Sequence, residues 1–176
     1  MLFEKMKTYL LPYILKESCG FVIQAKFEKQ YLLKHYVNDL ILQGEVDKVR
    51  SLYKKIFLYQ ENIFLVNNIF DLDFNFMDNY IINDKNEIDI VDLGYLTDDM
   101  SQVQISMSQN LTLAKQILTD LNQNKKIEEH KIKFSSLGGQ IAKYFRSFPE
   151  IVARQMSIIF LEEIILSRRR ILNNMP

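Results

Sequence analysis

Apolar side chains recur every three or four residues over most of this chain, a repeat that lines them along one side of an α-helix. Leu2, Phe3, Met6, Tyr9, Leu10, Tyr13 and Ile14 predict an opening amphipathic helix, which Pro12 should kink or end. After Gly20, a second pattern covers residues 21–42 through Phe21, Ala25, Phe27, Leu32, Leu33, Tyr36, Leu40 and Ile41, with Gly44 placed to stop it. A third helix is predicted from Glu45 to about Phe70, carrying Val49, Leu52, Tyr53, Ile56, Phe57, Ile63 and Phe64. The rhythm then breaks over 71–96, where Asp and Asn favour turns. Within that stretch, Ile88-Asp89-Ile90-Val91 alternates as a short strand would.

Helical spacing resumes at Thr97, the predicted N-cap, and runs to about residue 123. Met100, Val103, Met107, Leu111, Ala114, Leu118 and Leu121 form a narrow stripe on a helix roughly 39 Å long, which suits a coiled-coil-like hairpin or a partner contact. Asn122 to His130 reads as a polar turn and Ile132 to Phe145 as a further helix. Ser147-Phe148-Pro149-Glu150 has the form of a capping box before a final helix over 148–172. There, Met156, Ile158, Ile159, Phe160, Leu161, Ile164, Ile165 and Leu166 cover nearly every face, so the helix belongs at a bundle centre or in a subunit interface. Arg168, Arg169 and Arg170 sit where the negative end of its dipole favours cations. The fold class expected is all-α: a bundle of five to six helices, with a long coiled-coil-like helix and an acidic, partly irregular connector. The parts are N-terminal helices over 1–70, an acidic-aromatic connector over 71–96 and C-terminal helices over 97–176, together one domain.

Composition agrees with helices. The chain has 176 residues, 48% of them hydrophobic, with only five Gly and three Pro, too few for the many tight turns of an all-β protein. The lone Cys19 cannot form an intramolecular disulfide, which fits a reducing, cytoplasmic setting. No apolar run reaches the ~20 residues that span a bilayer, and the Glu4-bearing start reads as a first helix, not a signal peptide. Net charge is zero, but residues 1–60 carry +4, residues 61–100 carry −9 and residues 101–176 carry +5. That acidic block between basic flanks is the strongest asymmetry in the sequence.

The candidate chemistry is thin. His35 and His130 stand far apart with no nearby sulfur or nitrogen ligand, so zinc is not expected. Asp71-x-Asp73-x-Asn75 opens like a calcium loop, but Phe76 replaces the turn glycine and Ile82 the bidentate glutamate. Gly138-Gly139 lacks the rest of a phosphate loop, and the acids at 84–99 lie in a turn-rich stretch and not on rigid scaffolding. The chain is therefore expected to be non-enzymatic, with no cofactor and no metal.

Two binding readings follow. Phe70, Phe74 and Phe76 stand among Asp71, Asp73 and Asp78, outside the helical period, as apolar anchors ringed by charge do in a docking segment. With the stripe at Met100, Val103 and Met107, they point to a protein partner with a basic surface, or to a second copy of the chain. The function expected is that of an adaptor, chaperone-like or assembly subunit of a larger complex. The alternative is a DNA-binding regulator. Residues 141–154 loosely resemble a helix-turn-helix, which would use Lys143, Arg146 and Arg154. That resemblance breaks where Arg146 replaces the small turn residue and where Glu150 would face phosphate, and the near-neutral pI of 6.7 argues against nucleic acid.

Overall fold

The computed structural model describes residues 14–18, 21–24, 31–72, 77–83, 87–90, 96–125 and 136–175. Among these it is mostly helical, with small antiparallel sheets. Five helices are described: α1 (Leu33–Leu42), α2 (Val46–Asn67), α3 (Met100–Asn122), α4 (Ser136–Ser147) and α5 (Glu150–Asn173). The first correction lies at the start. Ile14–Ser18 (β1) and Phe21–Gln24 (β2) form an antiparallel hairpin, where a helix was expected from residue 21. Val22 and Ile23 are β-branched and stiff at χ1, which favours the extended pairing. The rest of the expected opening helix, residues 1–13, lies outside the described residues, as do Cys19, Phe74, Phe76, Asp73 and His130.

The connector also differs from its predicted irregular form. Phe70–Asp71 (β4) pairs with Leu96–Thr97 (β7). Tyr80–Ile82 (β5) pairs on one side with Tyr31–Leu32 (β3) and on the other with Ile88–Ile90 (β6), in the alternating stretch that suited either a strand or an extended arm. Asn83 closes the β5–β6 turn: its Oδ1 accepts from Glu87 N at 2.9 Å, and its Nδ2 donates to the buried Asp89 Oδ2 at 2.9 Å. An acidic residue that looked solvated in sequence is thereby satisfied inside the fold.

Helix ends follow local chemistry. Gly44, at φ +77°, makes the left-handed step between α1 and α2. Asn68 adopts φ 54° and ends α2 two residues before Phe70. The cap of α3 is Asp99, not Thr97: its carboxylate accepts from Ser101 N and Gln102 N, while Thr97 Oγ1 accepts from Asp99 N. The expected capping box before α5 does not form. Ser147 is still helical in α4, Pro149 is the N-cap residue, and Glu150 pairs with Arg154 at 3.2 Å instead.

The last helix is central. α5 packs against α1, α2, α3 and α4, and buries residues on most of its faces, from Val152 through Ile171. Phe160 is the hub, its ring 5.4 Å from Tyr53, 5.5 Å from Phe57 and 6.1 Å from Tyr144. Burial, offset by a mutual hydroxyl contact of 3.0 Å, raises the phenol of Tyr53 well above its ordinary range. A second cluster joins Phe64, Phe70, Val103, Met107 and Ile171. The described helices hold no stretch long and apolar enough to cross a membrane.

Asp78, in the middle of a 3-10 turn (Met77–Asn79), ties α1 to α4 through Lys34 at 2.9 Å and Lys143 at 2.7 Å. Partial burial alone would raise its carboxyl; the two ammonium partners outweigh it and hold the group below its ordinary 3.8. A depressed acid stabilises the fold above its unfolded value and loses that contribution as pH falls through the folded value. Asp78→Asn should therefore be less stable than the wild type at pH 7, by under about 1 kcal/mol for so exposed a network. Urea titrations of the two proteins should converge as pH drops below 3.8. Equal stability at pH 7 would show that the bridge contributes nothing.

Candidate partner-binding surface

Most of the side chains that the sequence marked for docking are used inside the domain. Phe70 is buried against Phe64, 6.0 Å away ring to ring, and is therefore not an exposed anchor. Asp71 is buried in β4 beside it. Asp78 is held by its two lysines. Val103 and Met107 are buried in the second cluster, and Met100 is partly buried at its edge. The physical reason is shared: β4 and α3 fold back onto α2 and α5, and the apolar faces meet each other.

Two of the three cations of the DNA reading are also paired within the domain. Lys143 pairs with Asp78. Arg154 donates from Nη1 at 2.8 Å to Leu121 O, a carbonyl in the last turn of α3 that also accepts from Asn124 N, and pairs with Glu150. Arg146 alone is exposed. The would-be recognition helix is α5, whose Val152, Ala153, Met156 and Ser157 are buried within the bundle.

A different surface emerges where the start of α1 meets the α4–α5 turn. Tyr31 leaves β3 directly into α1, so its ring lies one helical turn from His35. The two rings stack at 6.4 Å and 28°. Tyr36 meets Tyr31 edge-on at 6.1 Å, and Phe148, in the turn before α5, meets His35 edge-on at 5.7 Å. The Tyr31 hydroxyl donates to Asp39 Oδ2 at 2.5 Å, and that bond, with Asn38 Nδ2 on the other carboxylate oxygen, fixes the outer edge. The same bond raises the Tyr31 phenol. This aromatic group stays at the surface: Tyr31 is 40% exposed, and one turn beyond Phe148 stands Ile151 at 79%, the most exposed large apolar side chain described. Its assembly is hidden in sequence because Phe148 lies over a hundred positions from Tyr31, His35 and Tyr36. Phe148, an aromatic beside Pro149, falls within the Ser147–Glu150 stretch that reads as a capping box.

Rings with polar rims, gathered on rigid helix ends, can bury large area against another protein at little entropic loss. Among the described residues, no three His, Cys, Asp or Glu side chains gather to hold a metal. No known protein family, no characterised protein and no solved structure matches the chain.

Proposed function

We propose that the chain is a non-enzymatic protein–protein interaction domain, an adaptor or assembly subunit of a larger complex. Its partner seats on the Tyr31–His35–Tyr36–Phe148 platform and on Ile151. The observation that carries this reading is the touching set of surface aromatics, with Ile151, 79% exposed, three residues on from Phe148. The described acids of the connector lend a basic partner less support, since Asp71 and Asp89 are buried and Asp78 is paired, while Glu87 stays exposed. The partner is instead expected to present an apolar or aromatic face.

The test is affinity capture from the native cell with the wild type, Ile151→Glu and the control Leu42→Glu, which changes an exposed residue at the other end of α1. Ile151→Glu should lose the principal partner by at least about tenfold, as central interface residues do, while Leu42→Glu keeps it. Far-UV circular dichroism should be the same for all three. Retention of every partner by Ile151→Glu would refute the proposed docking surface.

A further inference from the structure

α3 has two faces, and among the described residues only one is used by the domain. Val103, Met107, Asn110, Ala114, Ile117 and Leu121 are buried in the bundle. On the opposite side, Ser101, Ile105, Ser108, Thr112, Lys115 and Thr119 recur at alternating intervals of four and three and are all exposed. That is the spacing of a helix seam. From Met100 to Ala114 the helix carries no ionisable side chain, although a quarter of the whole chain is charged. A solvated helix face is ordinarily charged, and the centre of an interface is depleted in charge.

The hydroxyls on this stripe are also less hungry for water than the sequence suggests. Thr112 Oγ1 donates to Ser108 O at 2.9 Å, and Thr119 Oγ1 to Lys115 O at 2.9 Å, so each threonine has its donor occupied within its own helix. Ser101 Oγ donates to Asp99 Oδ1 at 2.6 Å. Covering these groups breaks no bond they now make. Ile105, 58% exposed, is the apolar residue on the stripe.

Charge at the two ends of this face is opposite in sign: exposed Asp98 and Asp99 precede it, and exposed Lys115 lies on it one turn before Thr119. We infer that the occupant of the face is a second copy of this chain, whose α3 lies antiparallel across a twofold axis near Ser108. Ser101 and Lys115 each lie about 10 Å along the helix from Ser108. The twofold therefore sets Lys115 of each copy opposite Ser101 of the other, within reach of the Asp98–Asp99 pair. A parallel pairing would set Lys115 against Lys115 and Asp98 against Asp98, which repels. One helix face buries less than the standard interface area, so the dimer is of the weak, transient class. It is independent of the platform near Ile151.

The experiment uses the full chain with Cys19→Ser, so that the only cysteine is the one introduced. Under mild oxidation, Ser108→Cys should give a disulfide-linked dimer, because residues on the axis face their own copies at bonding distance. Ser101→Cys should not link to itself. In sedimentation at increasing concentration without added cysteines, Lys115→Glu should weaken association about tenfold, since two symmetric pairs become repulsive. Adding Asp98→Lys to Lys115→Glu should restore it. All four positions are exposed and lie outside the core, so the variants should keep the circular dichroism of the wild type. A chain that stays monomeric at millimolar concentration, Ser101→Cys linking as readily as Ser108→Cys, or no rescue by the charge swap would each overturn the inference.

Discussion

Phe160→Ala is expected to destabilise the domain by about 3–5 kcal/mol, the range for removing a fully buried phenylalanine. The Phe160 side chain is inaccessible to water, and its ring is in contact with those of Tyr53, Phe57 and Tyr144. Alanine forfeits the transfer free energy of the ring and leaves a cavity that three large aromatics cannot readily close. The edge-on geometries add roughly 0.5–1.5 kcal/mol per pair beyond the area buried. Against a total stability of about 5–15 kcal/mol, such a loss brings the protein near its unfolding threshold. Phe160→Leu keeps much of the volume and should cost less than half as much. Urea unfolding checks both, with the midpoint falling and the slope unchanged. A loss below about 1 kcal/mol for the alanine variant would mean that α5 is not the centre of the fold.

That α5 is central could be read from the sequence, because Met156, Ile159, Phe160, Ile164 and Ile165 leave no polar side to face water. The bounds of α3 were legible for a similar reason, since a periodic stripe needs only local spacing. What could not be read was pairing at a distance. Tyr31 meets Ile82 in the sheet, and neither position announces the other. Phe70 looked exposed because Asp71 follows it, yet Gln60 Nε2 donates to the Asp71 carbonyl at 3.3 Å, which lets the strand carry both residues inward. His35 and Phe148 come together only because α1 and α4 both pack on α5 and Phe148 sits in the turn between α4 and α5. The candidate docking surface was therefore invisible in one dimension, while the stripe once assigned to a partner was consumed by the core. The other face of α3 is polar in sequence, with Ser101, Ser108, Thr112 and Thr119. Its meaning appears only when the internal hydroxyl bonds and the burial of the opposite face are known.

Arg168 gives the sharpest departure from sequence logic, and its removal should be as damaging as that of Phe160. Beside Arg169 and Arg170 it looked like a solvated cation at a helix end. Arg170 does behave as a partly exposed cation, binding Glu61 through two bonds of 2.8 Å. Arg168 instead points inward and is only 1% exposed. Its Nη1 donates to Gln60 Oε1 at 2.6 Å, and its guanidinium lies 5.7 Å from the Phe57 centroid and 5.3 Å from that of Phe70. Burial draws the group down to about 10, against the opposing pull of Tyr80 and Glu61, so it remains a cation at neutral pH. A buried cation held by an amide and two ring faces contributes little net stability as a unit, but removing it leaves Gln60 without its donor and two rings without their filler. Arg168→Ala is therefore expected to cost about 3–5 kcal/mol, and Arg168→Met, which refills the space but not the hydrogen bond, about 1–3 kcal/mol. Lysine should not rescue, because an ammonium cannot stack its plane between the rings. The decisive measurement is a double-mutant cycle with Gln60→Ala. If the guanidinium and the amide act together, the two losses will fall short of additivity by at least about 1 kcal/mol. Faster amide exchange at Phe70 and Asp71 in Arg168→Ala, with α3 unchanged, would place the damage at the β4 end of the core, where the cation now holds strand to helix. Strict additivity, with no local opening at β4, would reduce Arg168 to a space-filler.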